Sequence, residues 1–507
     1  MADQHGLWQN PVLLLCFLLS IFIIKKIWRS EKKKKQFNLP PSPPRLPIIG
    51  NLHQLTTMPH QSFRALSDKH GPIVHLQLGH IPTVVVSSAE LAKEVLKTHD
   101  LALASRPQLF SAKHLFYNCT DIAFAPYGAY WRRVRKICTL ELLSTRRVES
   151  FRAVREQEVA NMVTRVKNSS HSGTTNLTKE FGVYANDVLC RIALGRDFSK
   201  TGDYDRLGFQ KMLEDYEELL GGFSLGDFFP SLEFLHSITG MKSKLQRTFQ
   251  KFDKFFDEVL AEHLDPKRDP NHHKDLVDVL LHLHKDASTE MPLTVENVKA
   301  IILDMFAAGT DTTNITLEWA MIELILNPQV MRKAQTELRS ALGARQTVSE
   351  SDLASLHYIK AVVKETLRLH PPVPILVPRE SMEDIKIGGY DVPSKTRVFV
   401  NAWAIARDPR YWEDPDGFCP ERFLGGSSRD FKGQDFELLP FGAGRRGCPG
   451  ITLGIAVIEL AVAQLLHSFD WELPPGVKPE DLDLREVFGI SMHKKSELLL
   501  SAVPHFS

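Results

Sequence analysis

The sequence predicts a mainly α-helical protein with small β-sheets on one side. Apolar residues recur at helical spacing over much of residues 50–507. Runs with strand character are short and few. No internal repeat and no long low-complexity stretch interrupts this region, and its length allows one large domain or several ordinary ones.

Periodicity and end signals place helices at 61–70, 130–143, 148–167, 242–263, 294–327 and 352–370. The strand-like runs are IVHLQLG and TVVVSS between Gly71 and Ser88, and TRVFVNAWA from Thr396. Residues 266–274 are polar and charged and read as a mobile surface loop.

The net charge of +1 excludes a general nucleic-acid footprint, which needs a marked basic excess. The six cysteines (Cys16, Cys119, Cys138, Cys190, Cys419 and Cys448) form no C-x-x-C pair. Zinc sites and iron–sulfur clusters draw clustered thiolates, so neither is expected. Six cysteines in so long a chain make no disulfide framework either. Most of them read as buried thiols that pack like small hydrophobes; Cys448 is set apart below.

Residues 7–24 are mostly apolar, and Lys25, Lys26, Arg29 and a run of lysines at 32–35 follow them. The first ten residues hold no Lys or Arg, and no small-residue cleavage site is evident. A cleaved signal peptide carries its charge before the apolar run, so the pattern predicts an uncleaved anchor with residues 1–6 lumenal and the rest cytosolic. The stretch suits a thin bilayer. Four glycosylation sequons, at Asn118, Asn168, Asn176 and Asn314, are then chance matches. Residues 25–50 form a basic and proline-rich segment. Its prolines favour a stiff extended path and fit a hinge, and composition alone fits a plain linker equally well.

The most specific feature is FGAGRRGCPG at 441–450. Four glycines predict a tight, bulge-like backbone, and Pro449 stiffens the turn. A strongly apolar helix follows. Cys448 therefore sits in a constrained loop at a helix N-terminus, where backbone N–H groups favour a thiolate. Arg446 stands ready to pair with an anionic group.

The long helix at 294–327 has an unusual middle. Gly309 costs about 1 kcal/mol against alanine in a helix interior. Thr310, Thr312, Thr313 and Thr316 are β-branched, and Asp311 interrupts an apolar stretch. Either Gly309 permits close helix packing while the threonines bond back to carbonyls, or this stretch is chemical.

The loop at 441–450 reads F-x-x-G-x-R-x-C-x-G without departure, and it resembles the haem-binding signature of the cytochrome P450 family. A-G-x-D-T-T, from Ala308 to Thr313, is similar to that family's oxygen-binding motif. The resemblance implies the cytochrome P450 fold over 51–507, with Cys448 as the axial thiolate on the iron of haem b. It implies that Arg446 contacts a haem propionate and that Phe441 packs by the sulfur. Thr312 would hydrogen-bond oxygen, and Asp311 would relay protons. Glu365 and Arg368 in KETLRLHPP, with Arg422 in FCPERF, look like the family's E-x-x-R and arginine lock around the cysteine loop. Trp131 and Arg135 resemble its W-x-x-x-R at a propionate, and Arg379 is a weaker candidate for the same role. Arg132, Arg133 and Lys136 would form either a docking surface for an acidic reductase or a plain solvated face. Segment-level candidates for the substrate pocket are Leu115, Phe116, Ile302, Phe306, Ile375, Leu376 and Ile490.

Phrases such as ASRP, FAPYG and NAWAIARDP look like plant members that modify specialised metabolites. The expected function is therefore insertion of one oxygen atom from O2 into a small lipophilic metabolite. The expected electron source is NADPH, through a cytochrome P450 reductase at the endoplasmic reticulum membrane, with cytochrome b5 as a further candidate partner. Two rivals remain: a haem-thiolate isomerase or aldoxime dehydratase that needs no O2, and a non-catalytic haem sensor or carrier.

Overall fold

A computed structural model describes residues 37–171, 173–197, 203–221, 224–268, 274–285, 292–426 and 429–506. The chain divides into 1–39 and a compact unit, 40–507. The expected anchor at 7–24 and the basic run after it lie outside the described residues. Of the expected loop at 266–274, only 266–268 and 274 are described.

The prolines that were expected to form a hinge belong to the compact unit. His75 donates its N–H to Pro41 O (2.8 Å), and Asn51 N donates to Gln77 O (2.6 Å). The Asn51 side chain accepts from Gln77 N and donates to the Pro43 and Pro44 carbonyls. A Cβ on Gly50 (φ +61°) would stand 2.0 Å from Gln77 O, so only glycine allows the segment to lie this close to the sheet.

The main helices run in order α1 (Pro59–His70), α2 (Ala129–Ile137), α3 (Arg152–Ser170), α4 (Leu177–Leu194), α5 (Asp203–Gly221) and α6 (Met241–Leu264). Then come α7 (Leu276–Lys285), α8 (Val295–Leu326), α9 (Pro328–Leu342), α10 (His357–Leu369) and α11 (Ile451–Ser468). Strands β1 (Ile73–Leu78) and β2 (Ile81–Val86) form an antiparallel hairpin. Later strands are β3 (Thr175–Asn176), β4 (Arg379–Glu380), β5 (Ile385–Ile387), β6 (Tyr390–Val392) and β7 (Arg397–Val400). The last are β8 (Phe469–Glu472), β9 (Glu486–Phe488), β10 (Met492–Lys494) and β11 (Leu499–Pro504). The largest sheet has the order β1-β2-β7-β4, with β7 parallel to β2. Smaller sheets are β3-β11-β8, β5-β6 and the hairpin β9-β10.

The observed helices depart from periodicity where the backbone turns. The segment expected at 148–167 breaks at Phe151, and the one at 352–370 opens with a 3-10 turn before restarting at His357. The run from Thr396 is strand only to Val400, because the Asn401 side chain accepts from Ala404 N and caps a short helix there. Helices α4, α5, α7 and α9 were not expected. Most of α4 is buried on every face, so it shows no polar–apolar alternation.

Helix α8 runs through the core and starts at a capping box between Thr294 and Asn297. A Cβ on Gly309 would meet Leu189 Cδ1 of α4 at 2.8 Å. Thr312, Thr313 and Thr316 each donate to the carbonyl four residues back, at 2.7 Å. Both features of the packing explanation for this stretch are therefore present. Among the described residues, α11 alone is long and apolar enough to cross a membrane, yet it is 67% buried within the protein and serves as a core helix.

Candidate active site

The loop before α11 is closed by its own backbone. Cys448 N donates to Phe441 O (2.9 Å), and Gly450 N donates to Cys448 Sγ (3.3 Å). Gly442 and Gly444 take the left-handed region, at φ +64° and +71°. The Phe441 ring meets Phe431 edge-on at 5.3 Å. Burial pushes the Cys448 thiol up, and the Gly450 N–H and the Arg135 charge offset this only in part. A bound cation would favour the thiolate form of the sulfur.

Guanidinium groups surround the loop. Arg135 on α2 donates to Gly447 O (2.6 Å). Arg446 donates to the carbonyls of Ala104, Ile122 and Ala125, and its guanidinium lies 4.1 Å from the centre of the Trp131 ring. The Trp131 indole N–H donates to Ile122 O (2.9 Å). Arg379 on β4 donates to Ala443 O (3.0 Å) and pairs with Asp100 (3.1 Å). A further arginine that sequence reasoning missed joins them: Arg106 donates to the carbonyls of Val377, Pro378 and Ala123. Burial and mutual repulsion lower the affinity of this cluster for its protons. Arg446 falls to about 9 by burial and then by Arg379, while Arg106 falls by burial and then by Arg446 and Arg379. Arg106 stands far from Cys448 in sequence, in an ASRP phrase whose spacing points to nothing.

Above the middle of the fold, α8 opens. Ala308 is exposed and Thr312 half-buried, although their neighbours Phe306, Asp311 and Thr313 are buried. The two lie one turn apart on one face. Asp311, about 100° round the helix from Thr312, turns to the C-terminal hairpin. It accepts from the Ser491 hydroxyl and lies 3.2 Å from His493 Nδ1.

Glu365 and Arg368 form a bidentate pair at 2.7 and 2.8 Å, with both side chains fully buried. Arg422 adds a contact to the same carboxylate at 3.0 Å. Arg368 also donates to the carbonyls of Ala406, Pro415 and Gly417, so it fastens the segment that leads to the cysteine loop. Of the apolar pocket candidates, Leu115, Phe116, Ile302 and Phe306 are core side chains at 1% exposure or less. Ile375 packs with Phe63 and Val85, while Leu376 and Ile490 are half-buried.

A mainly helical fold of this order, with a cysteine loop, a ring of buried arginines and an opened central helix, defines a prosthetic-group enzyme. The family model described as Cytochrome P450 matches residues 40–500. Cytochrome P450 71AP13 of Prunus mume is 66% identical over 493 residues, which cover 97% of this chain and 96% of that one. Phenylacetaldehyde oxime monooxygenase CYP71AN24, also of Prunus mume, is 47% identical and covers 98% and 95%. A zebrafish cytochrome P450 solved with progesterone superposes with a TM-score of 0.75 at 27% identity, covering 88% of this chain and all of that one. The chain belongs to the cytochrome P450 family, whose members are haem-iron monooxygenases.

The family implies haem, and the residues present fit it. Beyond burial, Arg446 and Arg379 lower the proton affinity of Arg106, which Asp121 offsets only in part, and two propionates would relieve that repulsion. Ala308 is exposed on α8, and a Cβ on Gly454 of α11 would meet nothing within 4 Å, so neither position obstructs a flat macrocycle. Gly444→Ala is expected to empty the site: its Cβ would stand 2.2 Å from Leu96 O, at a φ that alone costs about 1–3 kcal/mol. Haem per mole of purified protein should fall severalfold, as measured by pyridine haemochrome. A fully loaded variant would show that the loop tolerates that movement.

Proposed function

We propose that this chain is a membrane-bound haem-thiolate monooxygenase that inserts one atom of O2 into a small lipophilic plant specialised metabolite. NADPH supplies the electrons through a cytochrome P450 reductase. The observation that carries this reading is the Cys448 loop, closed by Cys448 N on Phe441 O and tied by Arg135 and Arg379 through Gly447 O and Ala443 O. Haem b, when bound through Cys448, supplies oxygen activation and transfer.

The chain's own residues do the rest. Arg106, Arg379, Arg446, Arg135 and Trp131 hold the carboxylate edge of the group. Phe441 closes the loop through its carbonyl and shields the sulfur with its ring. Thr312 donates to Ala308 O, so the lone pairs of its oxygen face the open patch, ready to accept from a ligand or water there. Asp311 supplies a carboxylate that holds and passes protons. Leu376 and Ile490 present apolar surface to a substrate.

Helix α2 supports docking of an acidic reductase. Arg132 and Lys136 are exposed on the helix whose Arg135 touches the cysteine loop. The apolar segment at 7–24 with its following lysines supports single-pass anchoring in the endoplasmic reticulum membrane. Carbonate washing of membranes should leave the protein in the pellet.

The test is conversion of candidate lipophilic metabolites, oximes among them, by microsomes holding the protein and a reductase. Product should require both NADPH and O2 and carry one ¹⁸O atom from ¹⁸O2. Product formed without oxygen would favour the isomerase or dehydratase reading. Thr312→Ala is expected to lower product about tenfold and to raise hydrogen peroxide per NADPH consumed. An unchanged product-to-NADPH ratio would remove Thr312 from the chemistry.

A further inference from the structure

We propose that His493, on strand β10, is the residue through which solvent protons reach Asp311. This rests on the monooxygenase reading above and adds a residue that lies 182 positions from Asp311 in the chain.

Asp311 is 5% exposed, so it has no ready exchange with bulk water. The His493 side chain is 34% exposed and places Nδ1 3.2 Å from Asp311 Oδ1. Its Nε2 lies 3.4 Å from the Ser491 hydroxyl and 3.9 Å from Glu217 Oε2 on α5. The imidazole therefore bridges a buried carboxylate and the protein surface. Ser491 donates its hydroxyl to the other Asp311 oxygen, which fixes the carboxylate towards the hairpin.

The charged groups facing His493 come from three elements. Asp311 and Glu318 lie on α8, Glu217 on α5, and Lys494 on its own strand. Glu318 is engaged by the Thr178 hydroxyl of α4, and Lys494 Nζ is held by Asp483 O and Ser496 Oγ. Burial alone would lower the proton affinity of His493. The hydrogen bond and charge of Asp311, followed by Glu318, overcome this and raise it above the usual histidine value. The shift favours the protonated ring, which is the form that donates a proton.

The step balances simply. The Nδ1–H bond of the imidazolium breaks and an O–H bond forms on Asp311 Oδ1, with the electron pair left on Nδ1. Asp311 gives its proton to a water molecule, its O–H bond breaking with the electron pair left on Oδ1, and becomes a carboxylate again. The neutral ring swings to solvent and takes up the next proton at Nδ1. No electron moves.

Two measurements on the haem-loaded enzyme test this. Histidine-specific hydrogen exchange read by mass spectrometry should show His493 titrating above free histidine in the wild type and lower in Asp311→Asn. Equal titration in both proteins overturns the pairing. Turnover with reductase and NADPH is then compared for wild type, His493→Gln and His493→Ala. Glutamine can hydrogen-bond Asp311 but cannot titrate, so a packing role would be rescued by it and a proton role would not. Both variants should lose about tenfold in product and release more peroxide per NADPH. The loss of rate that the wild type shows as pH rises through the His493 titration should disappear in both. A His493→Gln enzyme with wild-type rate and pH profile overturns the proposal. A wild type that forms no product under any condition overturns the monooxygenase reading instead, and the proposal with it.

Discussion

Glu365→Ala is expected to leave almost no folded protein. The Glu365 carboxylate is fully buried and accepts from Arg368 twice, from Arg422 and from Cys419 N (2.8 Å). Removing it strands the Arg368 charge at zero exposure. Breaking one partner out of a buried pair costs about 3–5 kcal/mol, against a total stability of about 5–15 kcal/mol for a domain. Arg368→Ala should be as severe, since it also takes the donor from the buried Ala406 carbonyl and from the part-buried carbonyls of Pro415 and Gly417. Arg368→Lys is no remedy, because an ammonium cannot make the bidentate pair. Haem content and melting temperature of membrane preparations measure the effect. A Glu365→Ala protein that melts like the wild type would show that this buried network does not hold the fold.

Cys448→Ser should behave in the opposite way: it should fold but not work. Among the described contacts, the sulfur has one hydrogen bond, from Gly450 N at 3.3 Å, and a hydroxyl can accept the same bond. The loop is closed by the Cys448 backbone, which the substitution keeps. Stability should therefore change by about 1 kcal/mol or less. Turnover should fall to background, a loss beyond the roughly 10²–10⁴-fold that one acid or base supplies. Normal turnover by this variant would place the iron ligand elsewhere. Together the two substitutions separate scaffold from chemistry.

What was legible in the sequence was local. The 441–450 loop shows itself because its glycines, arginine and cysteine are neighbours in the chain. Glu365 and Arg368 show as an i, i+3 pair, a spacing that surface helices also use; only the fold reveals that both are buried. The long helix was placed to within a residue at each end because Thr294 caps it and Pro328 stops it. What was hidden depended on three-dimensional neighbours. Arg106 and Asp100 come to the cysteine loop from over 300 residues away. Helix α4 was missed because it is wrapped in core and shows no polar face. His493 carries no local signal, and only the hairpin sets it beside Asp311.

The reduced, carbon-monoxide-bound difference spectrum of the wild-type protein in microsomes tests the central claim most directly. The account predicts a thiolate-type Soret band in the wild type that is lost in Cys448→Ser. A well-folded, haem-loaded wild type without that band would mean that the sulfur of Cys448 does not hold the iron, and the proposed chemistry would be contradicted.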